Sequence, residues 1–113
     1  MIDYWHNPRC SKSRAGLALL QDRAAALTVR RYLDDPPTRA EIETARAALG
    51  LAPIDMIRTG EKVFRDLGLT RDSSDDALLD AMAAHPILIE RPLAILGDRA
   101  IIGRPPERLL DLL

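Results

Sequence analysis

The chain has 113 residues, of which 47% are hydrophobic and 29% charged, and this balance is typical of one globular domain with a single core. The 16 basic and 17 acidic residues give a net charge of −1, which provides no overall attraction to nucleic acid or to an anionic membrane. The single cysteine excludes an internal disulfide and suits a reducing compartment. We therefore expect one cytoplasmic domain over residues 1–113, with neither nucleic acid nor a membrane as a partner.

The first third of the sequence predicts a βαβ unit. The segment 1–5 is short and apolar, which favours a strand. Between residues 12 and 25 the apolar positions recur at three- and four-residue spacing, as they do in a helix. Residues 27–33 alternate and are β-branched at their centre. This second strand is expected to run parallel to the first, because a helix connects the two.

The middle of the sequence predicts helices. Thr38 and Glu41 have the spacing of a capping box, which predicts a helix ending near Gly50. Short helical pieces follow, and Ser74 or Asp75 is the expected cap of a further helix that ends near His85. We interpret residues 38–85, approximately, as a helical insertion beside a sheet.

The last part of the sequence predicts a hairpin and a helix. Gly97 and Asp98 form a two-residue turn between the apolar runs 92–96 and 99–102. A final helix is expected after the prolines at 105 and 106, with an apolar face made by four leucines, Leu109, Leu110, Leu112 and Leu113. The predicted fold class is α/β, with a mixed sheet of about four strands.

The segment from His6 to Arg14 is the main candidate for chemistry. Cys10 lies where a proline-containing loop meets the start of a helix, and the free backbone N–H groups there favour a thiolate. The alternative for Cys10 is a buried structural cysteine. Ser13 and Arg14 are close enough in sequence to donate to a thiolate or a bound anion, although a helix-capping role is an equal alternative.

The two histidines have weaker claims to function. His6 is a candidate for tuning Cys10 electrostatically, and its alternative is a hydrogen-bonded core residue. His85 has no Cys, Asp or His partner at ligand spacing, so no metal site is expected. Without a glycine-rich phosphate loop or a serine triad, thiol chemistry has no rival in the sequence.

Four ordered motifs carry a resemblance to a known family. They are HNPRCSKSR at the start, YLDDPPTR after the second strand, HPILIERP before the hairpin and GRPPERLLDLL at the end. With these motifs the chain resembles the single-cysteine members of the glutaredoxin-linked arsenate reductase family. The resemblance covers essentially the whole chain, and it implies a thioredoxin-like fold with a helical insertion.

The resemblance also implies roles for individual residues. The cysteine of the H-N-P-x-C motif is the family's nucleophile, and it corresponds to Cys10. The arginines that hold the oxyanion correspond to Arg58, Arg91 and Arg104, for which surface ion pairing is the alternative. Pro92 matches the family's cis-proline, whose backbone faces the cysteine.

The implied function is reduction of arsenate to arsenite, for arsenic detoxification in the cytoplasm. Glutathione is then the co-substrate and glutaredoxin the protein partner, with no bound cofactor. One alternative is a glutathione-dependent thiol–disulfide oxidoreductase acting through the same thiolate. The other is a non-enzymatic regulator of the transcription machinery with the same fold. Such regulators commonly carry a C-x-x-C switch, and Ser13 stands at the position of its second cysteine.

Overall fold

A computed structural model describes all residues from Met1 to Leu113. The chain divides into two compact units. The first contains Met1–Asp35 and Arg91–Leu113, and the second is Pro36–Glu90, which spans the segment interpreted as a helical insertion. The prediction that the chain is one domain stays a prediction. No helix in either unit has both the length and the apolar character needed to cross a membrane.

The first unit contains a four-stranded mixed sheet. Its strands are β1 (Ile2–His6), β2 (Leu27–Arg31), β3 (Leu93–Leu96) and β4 (Arg99–Ile102), in the order β2-β1-β3-β4. β1 is parallel to β2 and antiparallel to β3, and β3 is antiparallel to β4. The predicted strand pairing and the hairpin at Gly97 are therefore confirmed. His6 lies opposite Arg31 and Trp5 opposite Leu93, so β1 ends where β2 ends and where β3 begins.

Helix α1 (Ser11–Asp22) connects β1 to β2 and packs against the sheet. It ends three residues before the predicted end at 25, because Ala24 adopts a left-handed conformation with φ of 55°. Gly16 permits the close packing, since a Cβ there would lie 2.6 Å from both the Tyr4 hydroxyl and Leu109 Cδ1. One hydrophobic cluster in the core of this unit is formed by six buried side chains, Ile2, Tyr4, Leu20, Ala94, Leu109 and Leu112.

The last helix differs from its prediction. Pro106–Leu112 is a 3-10 helix, in which side chains three residues apart lie on the same face. Leu109 and Leu112 share the buried face, whereas Leu113 is 58% exposed. The predicted four-leucine apolar face is therefore wrong, because the 3-10 period brings only two of the leucines into the core.

One side chain of the sheet is notable for its neighbour. Trp5, the only tryptophan, is buried in β1 next to His6. The guanidinium of Arg30, on β2, lies 5.9 Å from the centre of its ring, within the range of a cation–π interaction.

β2 ends at Arg31, two residues before the predicted end, where the chain enters a turn.

The second unit is helical. It contains α2 (Arg39–Leu49), α3 (Lys62–Asp66), α4 (Asp75–Ala84) and two 3-10 helices, Pro53–Asp55 and Pro86–Leu88. The predicted caps are confirmed, because Thr38 and Glu41 form a reciprocal capping box and the Ser74 side chain accepts from the Ala77 N–H. Arg39 links the two longer helices through ion pairs with Asp76 and Asp80.

Candidate active site

Cys10 is the N-cap residue of α1, and its side chain is partly exposed. A tight loop positions it: the Cys10 N–H donates to the Asn7 carbonyl at 3.0 Å, and the Arg9 N–H donates to Asn7 Oδ1 at 3.0 Å. The second bond is an Asx turn, a structure that asparagine forms readily because its side chain can mimic the backbone. The thiol thus stands at a helix N-terminus on a loop with internal hydrogen bonds.

The surroundings of Cys10 favour its thiolate. Burial alone would raise the pKa of the thiol. The backbone N–H of Ser13, the guanidinium of Arg91 and the backbone N–H of Lys12 favour the anion more strongly, so the pKa of Cys10 lies below its usual value. A cysteine with a lowered pKa is a better nucleophile near neutral pH, because more of it is present as thiolate.

The Ser13 side chain has a different role from its backbone. It is fully buried, and its Oγ accepts from the Asn7 N–H at 3.0 Å and lies 2.8 Å from His6 Nδ1. Ser13 Oγ and His6 Nδ1 share one hydrogen bond, and the tautomer of the imidazole sets which of the two atoms donates. The sequence suggested that Ser13 donates to the thiolate; the structure places its backbone N–H in that role and uses its hydroxyl to hold the loop.

His6 is neutral in this arrangement. Burial lowers the pKa of His6, and the positive charges of Arg31 and Arg14 lower it further. His6 therefore supports the loop as a hydrogen-bonded buried residue, which was the alternative to its electrostatic role. Tyr4 adds to the support, because its hydroxyl donates to the Ser13 carbonyl at 2.6 Å. Burial also raises the pKa of Tyr4, so its hydroxyl keeps its proton and remains a donor.

Arg14 contacts the loop backbone. Its Nη1 donates to the Pro8 carbonyl at 2.9 Å, which ties the first turn of α1 to the residues before Cys10. The sequence suggested that Arg14 donates to a thiolate or an anion. In the structure its guanidinium binds a carbonyl oxygen and stabilises the loop that carries Cys10.

Arg91 and Arg104 lie together at the edge of the sheet where β1 ends. Arg91 lies two residues before the start of β3, and Arg104 lies two residues after the end of β4. Arg104 Nη1 donates to the Arg91 carbonyl at 3.1 Å. The Arg91–Pro92 peptide is cis, as the resemblance implied, and so is the Arg104–Pro105 peptide. Arg91 thus lies at the Cys10 thiol and Arg104 lies beside Arg91, both in the first unit. Their predicted role toward an oxyanion stays a prediction.

Arg58 belongs to the second unit. Its Nη1 donates to Glu90 at 2.7 Å and its Nε to Glu61 at 3.1 Å, and its side chain is about one quarter exposed. Burial would lower the pKa of Arg58, but the two carboxylates raise it above its usual value. Ion pairing, the alternative stated for Arg58, is therefore present. Its predicted role toward an oxyanion stays a prediction.

Sequence reasoning missed a cavity beside the cysteine loop. It has a volume of about 310 Å³, and its walls are His6–Arg9 and three residues at and beyond the end of β2, namely Arg31, Leu33 and Asp34. The only available signal was the parallel pairing of β1 and β2, which brings the ends of both strands to one edge. No group of three or more His, Cys, Asp or Glu side chains in the structure is arranged to hold a metal ion.

The fold and the site define a thioredoxin-like protein with one thiol at a helix N-terminus. Residues 5–112 match the ArsC family, to which the chain belongs. An arsenate reductase of Neisseria meningitidis serogroup B is 46% identical over 110 residues, which cover 96% of this chain and 94% of that protein. One of Rhizobium meliloti is 45% identical over 115 residues, covering 99% and 81% respectively.

The solved structure of an arsenate reductase from Vibrio cholerae is also similar. It superimposes with a TM-score of 0.94 at 43% sequence identity, and the match covers 99% of this chain and 97% of that one. At this similarity the whole fold, including the helices between β2 and β3, is shared with a member of the family.

Proposed function

We propose that this protein is an arsenate reductase that uses glutathione and glutaredoxin as reductants, in the cytoplasm. The observation that carries the proposal is the state of Cys10. Its thiolate is favoured by two backbone N–H groups and by Arg91, in a chain that is 46% identical to a protein named arsenate reductase. Such a thiolate suits attack on an electron-poor arsenic atom.

In the first step the Cys10 thiolate attacks arsenic. An S–As bond forms, one As–O bond breaks, and the leaving hydroxyl takes up a proton from solvent and departs as water. Nucleophile and substrate are both anions, so their approach needs positive charge. We assign this role to Arg91 and Arg104, of which Arg104 donates to the Arg91 carbonyl. As the resemblance implies, we assign it also to Arg58, after exchange of a carboxylate partner for the oxyanion.

In the second step glutathione supplies electrons. Its thiolate attacks the Cys10 sulfur, the S–As electron pair stays on arsenic, and As(V) leaves as As(III) in arsenite. Cys10 then carries a mixed disulfide with glutathione. A glutaredoxin thiol attacks the glutathione sulfur and releases the Cys10 thiolate. Both reductants are external because the chain contains no second cysteine.

The same thiolate supports a second function, thiol–disulfide exchange on glutathionylated proteins. The step that removes glutathione from Cys10 is chemically the same as the step that would transfer it from another protein. The two functions differ in whether arsenate is consumed.

Purified protein with glutathione, glutaredoxin and a recycling system tests the proposal. We expect arsenite to form, and we expect the Cys10→Ser variant to be inactive while remaining folded. If no arsenite forms but a glutathionylated peptide is reduced, the protein is an oxidoreductase of the second kind. If neither reaction occurs and a macromolecular partner binds regardless of Cys10→Ser, the regulatory alternative replaces both.

A further inference from the structure

The cavity beside the cysteine loop has no role in the steps above that involve arsenate. Its volume of about 310 Å³ is at the lower end of the range for small-molecule sites, roughly 300–1,000 Å³. Four of its wall residues, His6–Arg9, directly precede Cys10 in the chain. A ligand in this cavity therefore contacts the loop that leads to Cys10, while Cys10 itself is not a wall residue.

The sheet order places this cavity apart from Arg91 and Arg104. β2 and β3 flank β1 on opposite sides, and the cavity is formed between the end of β1 and the end of β2. The two arginines lie at the start of β3 and beyond the end of β4. The cavity and the two arginines thus belong to opposite sides of the central strand.

The charges of the cavity indicate what it binds. Arg9 and Arg31 contribute two guanidinium groups, and Asp34 contributes one carboxylate, all on exposed side chains. His6 adds no charge, because burial keeps it neutral. An inorganic oxyanion carries no cationic group, so Asp34 would repel it. A molecule with two carboxylates and one ammonium group is complementary to the two guanidinium groups and the carboxylate of the cavity.

Glutathione has two carboxylates, one ammonium group and a thiol. We propose that this cavity is its binding site, with Arg9 and Arg31 holding the carboxylates and Asp34 the ammonium group, so that the thiol is presented to Cys10. The assignment rests on the proposed function for its choice of reductant. To the proposed function the assignment adds the identity of the residues that select glutathione over other thiols.

Direct binding is the first test. S-methylglutathione keeps the charges and cannot exchange, so its affinity measured by calorimetry reports on the cavity alone. Loss of one charge-assisted contact in a solvent-exposed site predicts affinities about fivefold to tenfold weaker for Arg31→Gln and for Asp34→Asn. Arg23→Gln, at the opposite end of α1, removes the same charge from an exposed position and is the matched control. Equal affinities in all four proteins would overturn the assignment.

Exchange kinetics provide the second test and need no arsenate. Oxidised glutathione reacts with the Cys10 thiolate to give the mixed disulfide and one free glutathione, a reaction followed by intact-protein mass. We expect Arg31→Gln to slow it about fivefold while leaving the reaction with uncharged 2-hydroxyethyl disulfide unchanged. Equal slowing with both disulfides would mean that Arg31 acts on the thiol, which overturns the assignment.

The two tests separate this inference from the proposed function. If arsenate is not reduced but the charge-dependent binding and exchange are found, the cavity assignment holds and the substrate proposal fails. If Arg31→Gln instead raises the KM for arsenate and leaves that for glutathione unchanged, the cavity serves the oxyanion and the assignment fails.

Discussion

Replacement of Arg91 by alanine tests the link between the sheet edge and the thiol. The Arg91 guanidinium is one of three groups that lower the pKa of Cys10, so the variant should have a higher Cys10 pKa than the wild type. The fold should survive, because Arg104 donates to the Arg91 carbonyl, which the substitution keeps. Loss of a hydrogen bond to a charged group costs about 1.5–3 kcal/mol, which corresponds to a roughly ten- to hundredfold fall in kcat/KM for arsenate.

The assay is the rate of Cys10 alkylation against pH, together with arsenite formation at saturating glutathione. Arg91→Lys should restore part of the lowering of the Cys10 pKa and a smaller part of the arsenate reduction. The lysine ammonium is a point charge, and it does not replace the planar guanidinium that can donate two parallel hydrogen bonds. Arg23→Ala serves as the control for loss of one positive charge. An alkylation midpoint unchanged in Arg91→Ala would refute the reasoning, even if arsenate reduction were lost.

Three further predictions follow from the loop and its thiol. Ser13→Ala removes a hydroxyl that serves two buried groups and should lower the free energy of unfolding by about 2–4 kcal/mol in urea titrations, whereas the exposed Ser11→Ala should change it by less than about 0.5 kcal/mol. Because the pKa of His6 is lowered on folding, the native state binds its proton less readily than the unfolded chain. Stability should therefore fall as the pH drops below about 6.5, and His6→Gln should remove this component; an equal fall in the variant would contradict it. Wild-type protein stopped after one turnover without glutaredoxin should carry one glutathione on Cys10, visible by intact mass, and its absence would exclude the mixed-disulfide step.

Local signals in the sequence were sufficient for much of the fold. Cys10 at a helix start follows from the order of strand, proline and helix, and the cap at Thr38 needs only residues three apart. The 3-10 form of the last helix was not predictable in this way, because the leucine spacing fits both helix types and packing against Gly16 and the sheet decides between them. The 3-10 form of this helix therefore originates in tertiary contacts.

The candidate site was less accessible to sequence reasoning for the same reason. Arg91 lies 81 positions after Cys10, and only the antiparallel pairing of β1 with β3 brings it to the thiol. The Ser13 hydroxyl supports the loop, whereas the Ser13 backbone N–H favours the thiolate. This division depends on the side-chain rotamer of Ser13, which the spacing of residues in the sequence does not determine. The cavity depends on Arg31 and Asp34 lying beside the loop, a consequence of the register between β1 and β2.

The position of Trp5 gives this protein an intrinsic optical reporter. Its indole is the only one in the chain, it is buried one residue before His6, and the Arg30 guanidinium lies over its ring. Indole emission shifts with the electric field around the ring, and a charged ligand beside the ends of β1 and β2 changes that field. Steady-state and stopped-flow fluorescence can therefore follow occupancy near Cys10 without a label, and Arg30→Gln identifies how much of the signal comes from the stacked cation.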